Sequence, residues 1–276
     1  MVDLRPRISL VRHLLERGHE LYLLDWGVPR DEDRFLRFDA LVEEILGGAV
    51  ARVQRAAAAT RVALLGHCLG GTLCAIHAAL HPERVAGLVN LAGPIDFALG
   101  GMLATWTDRR WFDADLVVEA NGNLPAWALH SAFLSLVPTV AASKAVRLLR
   151  RWADPDYLRT FCALELWSRA SVPFPGEAYR TYIRELYQEN RLVQGTLEVG
   201  GRQVRLERIT APVLVLTGDR DRIVPSACAA ALVDHVGATS ARHRILPGGH
   251  IGLVVSRAAR DHLWPALDEF LERAGG

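Results

Sequence analysis

The sequence predicts an α/β protein with a mostly parallel sheet flanked by helices, and three observations support this fold class. Short apolar stretches typical of buried strands alternate with longer stretches that repeat apolar residues at helical spacing. This alternation is interrupted between residues 99 and 200, where the pattern is helical. Half of the 276 residues are apolar and 23% are charged, which is enough to build a sizeable core. We therefore expect one α/β core with a helical insertion.

The first hundred residues alternate between predicted helices and predicted strands. The predicted strands are residues 20–26, 61–66 and 85–92. The predicted helices are residues 7–17, which end before Gly18, residues 38–58, and a helix that follows the second strand and ends near His81. Because helices connect successive strands, the strands are expected to run parallel.

Residues 99–200 are predicted to form an inserted helical cap. This segment contains five of the seven tryptophans, and five prolines divide it into short pieces. The strand and helix alternation then resumes, with predicted strands at 211–218 and 241–247 and predicted helices at 226–236 and 257–273. The predicted organisation is an α/β core formed by residues 1–98 and 201–276, with the cap formed by residues 99–200.

Charge and composition argue against several classes of function. A formal net charge of +1 without a lysine or arginine cluster predicts no nucleic-acid partner. The ten histidines lack the spacing of a metal site, so we expect no metal. The four cysteines form no CxxC pair, the chain starts without a signal-like segment, and no apolar run is long enough for a membrane span. We expect a reduced, cytoplasmic protein without a transmembrane segment.

A cysteine stands where strand and helix are predicted to meet, in the pattern Gly66-His67-Cys68-Leu69-Gly70. The form G-x-C-x-G is the nucleophile-elbow pattern with sulfur in place of oxygen. We expect glycine to be required at positions 66 and 70, because a side chain there would prevent strand and helix from approaching closely. The start of the helix favours a thiolate, and the N–H of Leu69 is expected to stabilise an oxyanion. The alternative is a buried cysteine in an ordinary glycine-rich turn.

Two later loops offer the partners that a thiol nucleophile requires. Asp219 and Asp221 follow the predicted strand 211–218, and His250 follows the last predicted strand behind two glycines. Each candidate comes after the carboxyl end of a strand, where open α/β sheets build their sites. We predict a catalytic triad of Cys68, His250 and Asp221, in the order nucleophile, acid, histidine along the chain. Asp219 remains the alternative orienting carboxylate.

Two further residues are candidates for binding substrate. Trp26 ends a predicted strand and is placed to line a pocket, although a purely loop-forming role is the alternative. His67 directly precedes the predicted nucleophile, and the alternative interpretation is that it is an ordinary surface or helix histidine.

At these residues the chain resembles the polyhydroxyalkanoate synthases, especially the short class that works with a second subunit. The resemblance extends beyond the elbow over nearly the whole chain. It covers "SLVRHLLERGHELYLLDWGVPRDEDR" (9–34), "LVNLAGPIDF" (88–97), "LPAWALHSAFLSLVP" (124–138), "RTYIRELYQENRLVQGTLEVGGRQVRLERITAPVLVL" (180–216) and "GGHIGLVVS" (248–256).

The resemblance implies an α/β-hydrolase fold and a role for each matching residue. Cys68 would be the acyl-accepting nucleophile, His250 the general base and Asp221 its acidic partner. The implied substrates are (R)-3-hydroxyacyl-coenzyme A thioesters, without a cofactor, and the products are a polyester and free coenzyme A. A homodimer, a possible second synthase subunit and the surface of cytoplasmic polymer granules are the implied partners.

Sulfur suits such repeated transfer, because a thiolate that attacks a thioester keeps the acyl group at the thioester level.

The family normally has a further upstream strand and a loop with a second oxyanion N–H, which this sequence lacks before "MVDLRPR". Two other functions remain open. One is a cysteine-dependent esterase or thioesterase with the same triad, and the other is an inactive subunit that binds a partner.

Overall fold

A four-stranded parallel sheet forms the centre of the computed structural model, which describes residues 2–138 and 140–274. Its strands are β1 (Val62–His67), β2 (Val85–Leu91), β5 (Val213–Gly218) and β6 (Ala241–Leu246), in the order β1-β2-β5-β6. All three strand pairs are parallel. A short antiparallel hairpin, β3 (Glu198–Val199) and β4 (Arg202–Gln203), lies between β2 and β5 in the chain. The predicted parallel sheet is confirmed.

Helices connect the strands and cover the sheet. In chain order they are α1 (Leu10–Glu16), α2 (38–56), α3 (Leu69–Leu80), α4 (Met102–Trp106), α5 (Ala114–Asn121), α6 (Ala126–Ser135), α7 (Val140–Arg151), α8 (Pro155–Arg169), α9 (176–188), α10 (Ser226–His235), α11 (Gly252–Val255) and α12 (259–274). π-Helical stretches occur in α2, α9 and α12, at Leu41–Leu46, Tyr182–Gln188 and Ala259–Leu263. Short 3₁₀ segments are Pro6–Ile8, Asp31–Phe35, Pro82–Arg84, Phe97–Leu99 and Leu206–Arg208.

Alternating residues of the central strands face two separate apolar cores. On one face Leu88, Val213 and Val215 pack with side chains of α2, α3 and α10. On the other face Val89 and Leu214 pack with α1 and α12. Since both faces are covered, the two central strands β2 and β5 are buried and mostly apolar along their length, as expected for a parallel sheet.

The predicted strand at residues 20–26 is wrong, because this stretch contains no regular secondary structure. Its main chain makes no main-chain hydrogen bond within the described residues. The stretch lies across an open cavity from β1, the strand at the edge of the sheet. A strand requires a neighbouring strand for its hydrogen bonds. A pattern of apolar residues indicates burial but does not show whether such a neighbour is present.

Helices α4–α9 form an insertion between β2 and β5 that is far less buried than the sheet. Its small core consists of Ala114, Val118, Leu124, Tyr179 and Ile183. The precise bounds proposed above, residues 99–200 for a cap and 1–98 with 201–276 for a core, stay a prediction. In the described part of the chain, no helix has both the length and the apolar character needed to cross a membrane.

Candidate active site

Cys68 occupies a strained turn between β1 and α3. Its φ of 54° and ψ of −132° place a non-glycine residue in a region that costs about 1–3 kcal/mol and persists only where neighbouring contacts enforce it. Those contacts are hydrogen bonds of the Cys68 main chain. Its N–H donates to the carbonyl of Leu91 at 3.0 Å, and its carbonyl accepts from the N–H of Gly71 at 2.8 Å. The thiol is therefore fixed at the carboxyl edge of the sheet.

Two glycines make this turn possible, but they are not the two that the sequence indicated. A Cβ on Gly66 would lie 2.2 Å from the carbonyl oxygen of Gly70, so Gly66 is required as expected. A Cβ on Gly70 would meet no atom within 4 Å, so the expectation for Gly70 is wrong. The second crowded position is Gly71, where a Cβ would lie 2.4 Å from Oδ1 of Asn90.

Asp221 is the carboxylate that meets the histidine. Its Oδ2 lies 2.7 Å from Nδ1 of His250, and its side chain is fully buried. Its Oδ1 accepts hydrogen bonds from the N–H groups of Ile223 and Val224, both at 2.9 Å. These main-chain donors fix the carboxylate in one orientation, and the carboxylate in turn fixes the imidazole.

Asp219, the alternative carboxylate, has a different task. Its Oδ1 accepts a hydrogen bond from the N–H of Gly248 at 2.7 Å. The N–H of Arg220 donates to the carbonyl of Gly248 at 3.0 Å, which adds a second link between the two loops. Asp219 therefore stabilises the contact between the loop that carries His250 and the loop that carries Asp221.

His250 joins the carboxylate to the sulfur. Burial is the largest influence on its pKa and lowers it, but three attractive effects outweigh burial. They are the nearby Cys68, the hydrogen bond to Asp221 and the negative charge of Asp221, which together raise the pKa of His250 to about 10. The structure thus places His250 in contact with Asp221 and close to Cys68, as the predicted triad requires.

Leu69 and the two candidate substrate residues lie around this chain of contacts. Leu69 is the first residue of α3, so its N–H has no acceptor within the helix, and its role in stabilising an oxyanion stays a prediction. Trp26 and His67 both line a cavity of about 1050 Å³ on the outer side of β1. No group of three or more His, Cys, Asp or Glu side chains in the described ranges is arranged to hold a metal ion.

His67 has a contact that the sequence did not indicate. Its ring packs against the ring of His250, with centroids 4.6 Å apart and planes inclined by 47°. Burial, with a smaller effect from the charge of His250, lowers the pKa of His67 to about 3. Its Nε2 is buried without a hydrogen-bond partner.

Comparisons with known proteins agree with the fold and give the family. The model of the alpha/beta hydrolase fold matches residues 4–256. The poly(3-hydroxyalkanoate) polymerase subunit PhaC of Allochromatium vinosum is 34% identical over 273 residues, which are 98% of this chain and 76% of that protein. This chain belongs to the poly(3-hydroxyalkanoate) polymerase family. The PhaC subunit of Haloferax mediterranei is also 34% identical, over 99% of this chain and 56% of that longer protein.

Solved structures add support for the fold of this polymerase-family chain. A structure reported with the metagenome-derived lipolytic enzymes LipS and LipT covers 96% of this chain, and this chain covers 86% of it. The TM-score is 0.55 at 12% sequence identity, so the similarity concerns the fold alone. The α/β-hydrolase fold expected from the sequence is confirmed.

Proposed function

We propose that this chain polymerises (R)-3-hydroxyacyl-coenzyme A thioesters into a polyester, through an acyl group held on Cys68. The observation that carries the proposal is the hydrogen bond between His250 and Asp221 close to Cys68, in a member of the polymerase family. A thiolate beside an imidazolium is a nucleophile that needs no further activation.

In the loading step, the thiolate of Cys68 attacks the carbonyl carbon of the substrate thioester. A bond forms between that carbon and the sulfur of Cys68, and the bond to the coenzyme A sulfur breaks. The departing sulfur takes the proton of the His250 imidazolium, so coenzyme A leaves as a thiol. The N–H of Leu69 is placed to stabilise the oxyanion that forms in between.

In the transfer step, His250 acts as a base. Acylation removes the negative charge of Cys68, which is one of the effects that raise the pKa of His250, while burial still lowers that pKa. The neutral imidazole can then accept the proton of a hydroxyl group whose oxygen attacks the acyl carbon. A carbon–oxygen bond forms, the bond to Cys68 breaks, and the starting pair of thiolate and imidazolium returns. These steps draw only on the triad and the N–H of Leu69, so we propose that no cofactor takes part.

The helical insertion supports a further part of the proposal. It exposes large apolar side chains that a water-facing surface does not need, with Trp127 71%, Leu149 74% and Trp152 69% exposed. We propose that this surface contacts the growing polyester and the surface of cytoplasmic granules. A second copy of the chain and a second synthase subunit are the other proposed partners of the enzyme.

The test is to incubate the purified chain with 3-hydroxybutyryl-coenzyme A, with and without an added partner subunit. We expect release of coenzyme A thiol together with insoluble polyester. A Cys68→Ser variant should lose turnover by orders of magnitude, since a hydroxyl with an ordinary pKa does not form the anion that attacks.

Each other outcome contradicts part of the proposal. Free 3-hydroxybutyrate without polymer would indicate a cysteine-dependent thioesterase. Absence of thiol release, with no acyl group trapped on Cys68, would indicate an inactive subunit. Near-normal turnover of Cys68→Ser would refute the assignment of the nucleophile.

A further inference from the structure

Two tyrosines of the insertion, Tyr182 and Tyr187, lie in the π-helical stretch Tyr182–Gln188 of α9. Their rings meet nearly at right angles, with centroids 5.4 Å apart and planes inclined by 83°. Each ring also packs edge to face on Phe97, at 5.7 Å for Tyr182 and 4.8 Å for Tyr187. Phe97 is fully buried, so it holds both tyrosine rings in place. π-Helical stretches of this kind occur frequently at functional sites.

The loop that follows β2 connects this aromatic cluster of Phe97, Tyr182 and Tyr187 to the nucleophile. A Cβ on Gly93 in the loop would lie 2.7 Å from the carbonyl oxygen of Cys68, so the loop passes directly beside that residue. Phe97 follows in the same segment, and its N–H donates to Oδ1 of Asn190, just after α9, at 2.9 Å. These contacts hold the end of α9 beside the turn that carries Cys68.

Two of the three tyrosines of α9 are close enough to Cys68 to be affected by it. Burial raises the pKa of Tyr182 and of Tyr187, and the nearby Cys68 adds to both increases. Tyr179 differs, because burial alone raises its pKa, to about 12, and its ring belongs to the small core of the insertion. Since the pKa values are raised, the hydroxyl groups stay protonated at neutral pH, and each can both donate and accept a hydrogen bond.

A 3-hydroxyacyl chain matches these surroundings. Its carbon atoms are apolar and suit a contact with aromatic rings, whereas its hydroxyl group needs a hydrogen-bond partner once it leaves water. Cys68, Tyr182 and Tyr187 are each only partly buried, so each has a part that a ligand can reach. A phenol group beside the nucleophile therefore has the chemistry that such a chain requires.

We propose that Tyr182 and Tyr187 are specificity-determining residues whose hydroxyl groups bind the 3-hydroxyl group of the substrate while Cys68 attacks its thioester. This inference rests on the proposed function. A site that offers hydrogen bonds to a substrate hydroxyl group discriminates against a substrate without one, because the polar groups of the site are then left unpaired. An acyl group without a hydroxyl provides no oxygen for the next transfer, so this selection keeps the polyester growing.

The test compares 3-hydroxybutyryl-coenzyme A with butyryl-coenzyme A by the rate of the first release of coenzyme A. The ratio of the two rates measures recognition of the hydroxyl group and does not depend on polymer growth. We expect the wild type to favour the hydroxy compound, and Tyr182→Phe and Tyr187→Phe each to lower the ratio about tenfold, as for the loss of one hydrogen bond. A variant that disturbed only the packing would slow both thioesters alike and leave the ratio unchanged.

Tyr179→Phe is the matched control. It removes a hydroxyl group from the same helix, and the ring of Tyr179 packs on Phe174 at 5.8 Å, the same separation as for Tyr182. We expect its ratio to equal that of the wild type. Circular dichroism checks the fold of each variant, and if one of the two site variants does not fold, the other supplies the measurement.

A wild-type ratio in both Tyr182→Phe and Tyr187→Phe would overturn the inference, as would an equal decrease in Tyr179→Phe. A wild type without preference for the hydroxy compound would also overturn it. A decrease in only one of the two site variants would support the inference and identify the hydroxyl group that binds. Release of coenzyme A without polyester from the wild type would contradict the proposed function, while the ratio would still test the two tyrosines.

Discussion

Replacing Asp221 by asparagine tests how the triad controls the charge of His250. In Asp221→Asn the oxygen Oδ1 can still accept from Ile223 and Val224, so the loop keeps its hydrogen bonds. The group 2.7 Å from Nδ1 of His250 loses its charge, and an amide N–H then faces the imidazole. The change therefore removes the partner of the imidazolium while leaving the surrounding main chain in place.

The pKa of His250 sets the size of the expected effect. It is raised from 6.5 to about 10, although burial lowers it. At about 1.36 kcal/mol per pKa unit, the increase corresponds to roughly 5 kcal/mol of stabilisation of the charged imidazole. Asp221 and Cys68 supply this stabilisation together, so it is an upper limit for the contribution of Asp221. We expect the rate of coenzyme A release to fall by about 10²–10⁴-fold.

The assay is thiol release from 3-hydroxybutyryl-coenzyme A, with thermal unfolding to check the fold. Asp219→Asn is the matched control, because Asn keeps an oxygen that accepts from the N–H of Gly248. We expect the control to lose less than about tenfold in rate. Equal losses in the two variants, or an Asp221→Asn rate close to the wild type, would refute the assignment of Asp221 as the orienting carboxylate.

Two predictions concern stability. Gly66→Ala should lower the free energy of unfolding, measured by urea titration, by about 3 kcal/mol or more, since its Cβ would lie 2.2 Å from the carbonyl oxygen of Gly70. Gly70→Ala should change the free energy of unfolding by less than about 1 kcal/mol. Equal costs in the two variants would contradict this prediction. Burial, with the charge of His81, lowers the pKa of His77 to about 4, so the unfolded chain binds more protons than the folded chain between pH 6.5 and 4. Acidification from pH 7 to 5 should therefore cost about 2 kcal/mol through His77. His77→Leu should remove that share of the pH dependence, and an unchanged pH dependence would contradict this account.

The sequence predicted most of the sheet because its two central strands, β2 and β5, are buried on both faces. The strands at 61–66, 85–92, 211–218 and 241–247 lie within two residues of those observed. The stretch 20–26 has a similar apolar pattern, but its main chain pairs with no strand among residues 2–138 and 140–274. Local pattern reports burial, and strand pairing depends on residues that are distant in the chain.

In the site, too, the sequence pattern indicated some residues but not the contacts between residues that are distant in the chain. Order along the chain and position after strands indicated Cys68, Asp221 and His250, but left Asp219 open, because the choice depends on one hydrogen bond across two loops. The crowding at Gly71 depends on Asn90 of the neighbouring strand. The contact of His67 with His250 likewise joins residues from opposite ends of the sequence, and no local pattern encodes it.

The central claim is that Cys68 carries the acyl group, and the most direct measurement is mass spectrometry of the chain quenched shortly after mixing with 3-hydroxybutyryl-coenzyme A. We predict one hydroxybutyryl group on the peptide that contains Cys68, lost on treatment with hydroxylamine and absent from Cys68→Ala. Release of coenzyme A with no acyl group on this peptide, or with the group on another residue, would contradict the account.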